Sequence, residues 1–88
     1  MVCEMWKELD DSIDAFVIYR RRATRPDLRA FAWQGRRYEI EATEFVHTER
    51  TGEAVFLCYS VRCKGEQFAI RFDTERHRWR IEAIDVSS

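Results

Sequence analysis

From Ile13 onward the chain alternates apolar and polar residues with a period of two, the mark of β-strands with one face buried. Ile13, Ala15, Val17 and Tyr19 share one face of a first strand, and Phe16 and Ile18 make its other face apolar too, so this strand is expected to be covered on both sides. A second strand, residues 28–33, sets Arg29, Phe31 and Trp33 against Leu28 and Ala30 and ends at Gln34 and Gly35, a tight-turn pair. A third begins at Arg36, with Tyr38, Ile40 and Ala42 inward and Arg37, Glu39 and Glu41 outward. Its phase slips at Phe45 and Val46, which predicts a bulge near Thr43 and Glu44.

Thr51 and Gly52 signal the next hairpin. A fourth strand, residues 53–63, places Val55, Leu57, Tyr59, Val61 and Cys63 on one face, which reads as a central position. Lys64 and Gly65 turn it into a fifth, in which Phe68, Ile70 and Phe72 alternate with Ala69, Arg71 and Asp73. The turn at residues 74–77 leads to a sixth, with Trp79 and Ile81 inward, Arg78, Arg80 and Glu82 outward, and a second slip near Ala83 and Ile84. Ahead of all this, Val2, Met5, Trp6 and Leu9 repeat at helical spacing and predict a short amphipathic helix over residues 1–11, packed on the sheet. The expected fold is therefore mostly β: a curved antiparallel meander of five to six strands over residues 13–86, open or partly closed as a small barrel, with one short N-terminal helix.

Composition sets bounds on this picture. The 88 residues are enough for one domain, residues 1–88, and 14% aromatic content supplies a core without metal or disulfide support. No apolar run approaches the ~20 residues of a membrane helix. The acidic start, with Glu4, Glu8 and Asp10 against Lys7, is unlike a secretory signal, and the three cysteines Cys3, Cys58 and Cys63 are an odd number; both point to the cytoplasm and reduced thiols. Cys58 and Cys63 fall on opposite faces of one strand and cannot share a metal or a disulfide, so they are expected to be small buried hydrophobes.

The net charge of −1 hides a block structure: residues 1–15 carry −4, 16–37 carry +6, 38–57 carry −4 and 58–88 carry +1. The basic block contains Arg20, Arg21, Arg22 and Arg25 in a loop around the sole proline, Arg29 at the start of the strand that follows, then Arg36 and Arg37 at the Gln34 turn. Arginine beside exposed aromatic rings suits phosphates and stacked bases, although a chain of pI near 6.1 lacks the overall basic footprint of a dedicated nucleic-acid binder. A second basic element follows from the last hairpin. If its turn pairs Asp73 with Arg78, then Arg71 faces Arg80, and like charges directly opposite are destabilising unless an anion or nearby carboxylates, here Glu66, Asp73 or Glu82, neutralise them. Arg76 is close enough to join this group.

Catalytic signatures are absent. There is no phosphate loop, no nucleophile elbow and no Cys or His pair at metal-ligand spacing, so neither an enzyme, a metal nor a cofactor is expected. His47 and His77 stand alone in the sequence, and Glu39, Glu41 and Glu44 read as the solvent side of a strand.

The run Phe31, Ala32, Trp33, Gln34, Gly35, Arg36, Arg37, Tyr38 resembles the motif F-x-W-x-G-R-x-Y of a small bacterial β domain of unknown function, found alone and appended to proteins related to Y-family translesion DNA polymerases. The later stretch Phe68 to Asp73, with Trp79, Arg80, Ile81 and Asp85, is similar to that family's closing hairpin, although the turn after Asp73 lacks the expected glycine and the N-terminal helix is not part of the pattern. The resemblance implies an accessory role in DNA damage tolerance and supplies no catalytic residues. The expected function is thus a non-catalytic binding module. Arg20, Arg21, Arg22, Arg25, Arg36, Arg37, Arg71, Arg78 and Arg80 are its candidate contacts to a DNA-repair protein or, weakly, to a nucleic-acid backbone. The alternative is a protein-interaction or self-association domain that dimerises through a sheet edge.

Overall fold

A computed structural model describes residues 6–85. Eight antiparallel strands follow one another: β1 Trp6–Ser12, β2 Asp14–Ile18, β3 Asp27–Trp33, β4 Arg36–Glu39, β5 Ala42–Thr51, β6 Ala54–Cys63, β7 Glu66–Asp73 and β8 Arg78–Asp85. They form two sheets, a five-stranded one in the order β1-β8-β7-β6-β5 and a three-stranded one in the order β2-β3-β4. The mostly β class and the antiparallel hairpins are as the alternation predicts, but the single meander is replaced by two sheets and no barrel closes.

The chain crosses between sheets twice, each time at an isoleucine. Between β1 and β2, Ile13 is buried and its N–H donates to the Trp79 carbonyl at 3.2 Å. Between β4 and β5, the Ile40 N–H bonds to Arg29 of the small sheet at 2.9 Å, and the Glu41 N–H bonds to Arg62 of the large one at 2.8 Å. This second corner divides what the sequence presents as one long third strand. The alternation runs on through the corner because Ile40 still points into the core, so periodicity alone gives no sign of the change of partner.

The expected N-terminal helix is not found. Within the described residues its second half is β1, paired with β8 from Trp6↔Asp85 to Ser12↔Arg80, with a bulge between Glu8 and Asp11 that leaves Leu9 packed on the core. Residues 1–5 lie outside the described part. The physical reason is that β8 would otherwise present an unpaired edge. A ladder along it outweighs the weak helical preference of a segment too short to be stable alone.

Three further expectations shift. The hairpin turn is Gly52 and Glu53 rather than Thr51 and Gly52, since Thr51 pairs with Ala54. The second bulge falls at Glu82, between the pairs Ala69↔Ala83 and Ile70↔Ile81. β2 is not covered on both sides, for it lies at a sheet edge with Phe16 43% and Ile18 46% exposed. The bulge near Glu44 is present, between Thr43 and Phe45, and β6 lies inside the large sheet.

The core fills the space between the sheets. Phe31 and Leu28 of β3 meet Tyr59, Val61, Phe68, Ile70, Phe72, Ile81 and Ile84 of the large sheet. Phe68 is its aromatic hub, with the rings of Phe31 and Tyr38 each 5.3 Å away and that of Trp33 at 6.5 Å. The aromatic residues of the quoted motif are therefore core: Phe31 stacks on its cross-strand partner Tyr38 at 5.0 Å. Trp33 Nε1 donates to Asp11 Oδ2 at 3.0 Å, tying β3 to β1. Among the described residues no helix is long and apolar enough to cross a membrane.

Candidate functional site

The loop between β2 and β3 is built to hold its arginines outward. Pro26 is buried at its far end, where its carbonyl accepts the Tyr59 hydroxyl at 2.7 Å. Burial pushes the Tyr59 phenol up to about 12, so it stays a donor throughout the neutral range. Arg20 closes the loop through Asp27, 3.3 Å away, and Arg29 shares that carboxylate at 3.6 Å. Between these two fasteners the chain overhangs the edge of the large sheet.

Under the overhang lies an open cleft of about 580 Å³. One wall carries Arg20, Arg22 and Arg25; the other is Thr43, Glu44, Phe45 and Val46 of β5, with Tyr59 beneath. Phe45 is 60% exposed and presents its ring to this cleft. It is exposed because the β5 bulge re-aims it, and its ring lies 5.3 Å from that of His47. Arg22 and Arg25 make no ion pair or side-chain hydrogen bond among the described residues. Glu44 is occupied by Arg62 at 3.0 Å and by Gln67. The cleft thus pairs two uncommitted guanidinium groups with an exposed aromatic face.

The remaining candidate arginines are elsewhere. Arg21 is on the same loop, exposed and outside the cleft. Arg36 sits at the exposed end of β4, while Arg37 pairs with Glu39 and covers the Phe16 ring at 4.5 Å. Arg78 and Arg80 line a separate hollow of about 200 Å³ with Arg71 and Arg76.

There the expected register holds: Asp73 pairs with Arg78, Phe72 with Trp79 and Arg71 with Arg80. The like charges are neutralised within the fold. Arg71 bonds Glu49 at 2.6 Å, lies 3.5 Å from Glu82 and sits over the Phe56 ring at 4.3 Å, although its buried Nε has no hydrogen-bond partner. Arg80 binds the Asp10 carboxylate at 2.7 Å, the Asp10 carbonyl at 3.1 Å and Ser12 at 3.4 Å. Of the neutralisers expected from sequence, only Glu82 serves Arg71 or Arg80. Asp73 instead accepts the N–H groups of Glu75 and Arg76 in the turn, which hold its carboxyl below the usual range. Glu49 and Asp10, on strands distant in sequence, were not foreseeable without the sheet order. Arg71 and Arg80 are thus committed within the fold, while Arg76 and Arg78, which make no ion pair among the described residues, have no exposed aromatic ring beside them in this hollow; the ring of Phe45 makes the loop cleft the stronger candidate for an external ligand.

Sequence reasoning passed over Phe45 as a site residue. The slip of phase at Phe45 and Val46 carries the signal, because a bulge that turns an aromatic outward beside a basic loop is a feature of binding edges. Comparison with family models, curated proteins and solved structures finds no match to the chain.

Proposed function

We propose that this domain is a non-catalytic binding module that holds a single-stranded nucleic acid in the loop cleft, with Arg22 and Arg25 on phosphates and Phe45 as the stacking face for one base. The observation that carries the reading is the pairing of uncommitted arginines with an exposed ring across one open cleft. Sequence-tolerant single-strand binding uses this combination, since every base has a π-face and every nucleotide a phosphate. Two or three arginines make such a contact weak and salt-dependent. An accessory role in DNA repair or translesion synthesis is part of the same proposal, supported by the motif at residues 31–38, and the free thiols of Cys58 and Cys63 suit a cytoplasmic setting.

The test is binding of labelled oligodeoxynucleotides by the Arg22→Ala/Arg25→Ala and Phe45→Ala variants. Loss of phosphate contacts lowers affinity for all sequences alike, and loss of a stacked base costs roughly 1–3 kcal/mol, about 5- to 150-fold. Affinity unchanged in both variants would remove the cleft from consideration.

A second reading has its own observation. The edge strand β2 exposes Phe16 and Ile18, and Tyr19 just beyond it is 70% exposed. Self-association by strand addition at this edge would cover them. A concentration-dependent, salt-insensitive dimer in sedimentation would favour it.

A further inference from the structure

The β5–β6 hairpin brings together three chemically unlike side chains on the outer face of the large sheet. His47 and Glu49 are two residues apart on β5 and so point the same way, and Cys58 is directly opposite His47 on β6. One ligand atom from each, an imidazole nitrogen, a carboxylate oxygen and the sulfur, all lie within 4.8 Å of one another. His47 Nε2 and Glu49 Oε1 are 3.2 Å apart. A zinc ion takes nitrogen at ~2.0–2.1 Å, oxygen at ~2.0–2.2 Å and sulfur at ~2.3 Å, so tetrahedral ligand atoms stand roughly 3.3–3.8 Å apart. Small side-chain rotations would close the observed set to that size.

We propose that His47, Glu49 and Cys58 form a site for a zinc-class divalent transition metal, with a fourth position open to solvent. The mixed nitrogen, oxygen and sulfur donors suit zinc and exclude calcium or magnesium, which take oxygen ligands. A supporting shell is already in place. Arg71 Nη2 holds Glu49 Oε2 at 2.6 Å, which leaves Oε1 on the His47 side and fixes the carboxylate plane. The guanidinium would repel a cation, but Glu82, 3.5 Å from Arg71 and lining the same small hollow as all three ligands, offsets it. Once Cys58 gives up its proton on binding, two carboxylates and a thiolate against one guanidinium leave the pocket doubly negative, the complement of a divalent ion. Binding releases the Cys58 thiol proton to solvent and involves no change of oxidation state.

His47 and Glu49 are exposed and Cys58 is buried, so the ion would be reached from solvent and anchored on the sheet. The site is independent of the loop cleft in its residues, although Phe45 touches His47 and borders both.

The experiment is titration of the reduced full chain with cobalt(II), read by the near-ultraviolet thiolate-to-cobalt charge-transfer absorption, followed by displacement with zinc. The site predicts a one-to-one endpoint and zinc displacement. It further predicts loss of the band in Cys58→Ala and at least tenfold weaker binding in His47→Ala and in Glu49→Gln. Cys3→Ser should leave the spectrum unchanged. His47 and Glu49 are surface positions, so their variants remain informative if Cys58→Ala does not fold. Absence of a charge-transfer band in the parent chain, its persistence in Cys58→Ala, or affinity within twofold of parent in both surface variants would overturn the assignment.

Discussion

Replacing Tyr59 by Phe removes one oxygen and nothing else. That oxygen fastens the arginine loop to the large sheet by donating to the Pro26 carbonyl at 2.7 Å. A buried hydrogen bond contributes about 0.5–1.5 kcal/mol net, and an acceptor left dry costs about 1–3 kcal/mol. Pro26 and Tyr59 both border the open cleft, so water can reach the freed carbonyl, which places the loss near 1–1.5 kcal/mol. The ring keeps its place in the core and its 5.4 Å contact with Trp79. For a domain of this size each kcal/mol moves the thermal midpoint by about 4–8 °C, so the variant should melt roughly 4–12 °C lower. The local effect should be larger than the global one. With the loop held only by Arg20 and Asp27, trypsin should cut after Arg21 or Arg22 several-fold faster under native conditions, while β6 keeps its hydrogen-exchange protection. A midpoint within 2 °C of parent together with unchanged loop cleavage would refute the role given to this bond.

Three other outcomes follow from the fold. Gly35, at φ 75° beside Gln34 at φ 52°, has nothing within 4 Å of where a Cβ would stand; Gly35→Ala should therefore cost the conformational penalty alone, about 1–2 kcal/mol in chemical denaturation. Ile70, fully buried between the sheets, should lose about 2–5 kcal/mol on truncation to Ala, enough to leave little folded protein at 37 °C; a midpoint close to parent would contradict its central place. The hydrogen bonds of Glu49 with His47 and Arg71 hold its carboxyl below its ordinary value of 4.5. Its contribution to stability is thus full above that value and lost as pH falls through the lower, folded one. Glu49→Gln should flatten the fall in urea midpoint between neutral and acid pH, and an unchanged pH profile would show that the pairing does not operate in solution.

How far the sequence reaches depends on which contacts are local. Alternation locates β3, β6, β7 and β8 because each has one face in the core, and the pairs at residues 34–35 and 64–65 mark two hairpins directly. The facing of Arg71 and Arg80 also follows by counting from the turn at residues 74–77. That turn solves the missing glycine by placing His77 at φ 56°. What stays hidden is pairing between segments far apart in sequence. β1 is a strand because β8 lies free beside it, and the chain leaves the small sheet at Ile40 without any break in period. The candidate sites share this cause. The cleft needs the loop of residues 20–26 to lie against β5, and the opposition of His47 to Cys58 depends on the hairpin turning at Gly52 and Glu53. A turn one residue earlier would set His47 opposite Phe56, two positions away.

The central claim is most directly tested by fluorescence anisotropy of a labelled single-stranded oligodeoxynucleotide against the parent chain over a range of salt, with the duplex as comparison. Two or three phosphate contacts at a slope of roughly −0.7 each in log–log form predict micromolar binding to the single strand that weakens about 7- to 20-fold between 50 and 200 mM salt. Binding to duplex should be weaker, because paired bases cannot stack on Phe45. No binding even at low salt, or equal binding to duplex and single strand, would contradict the account.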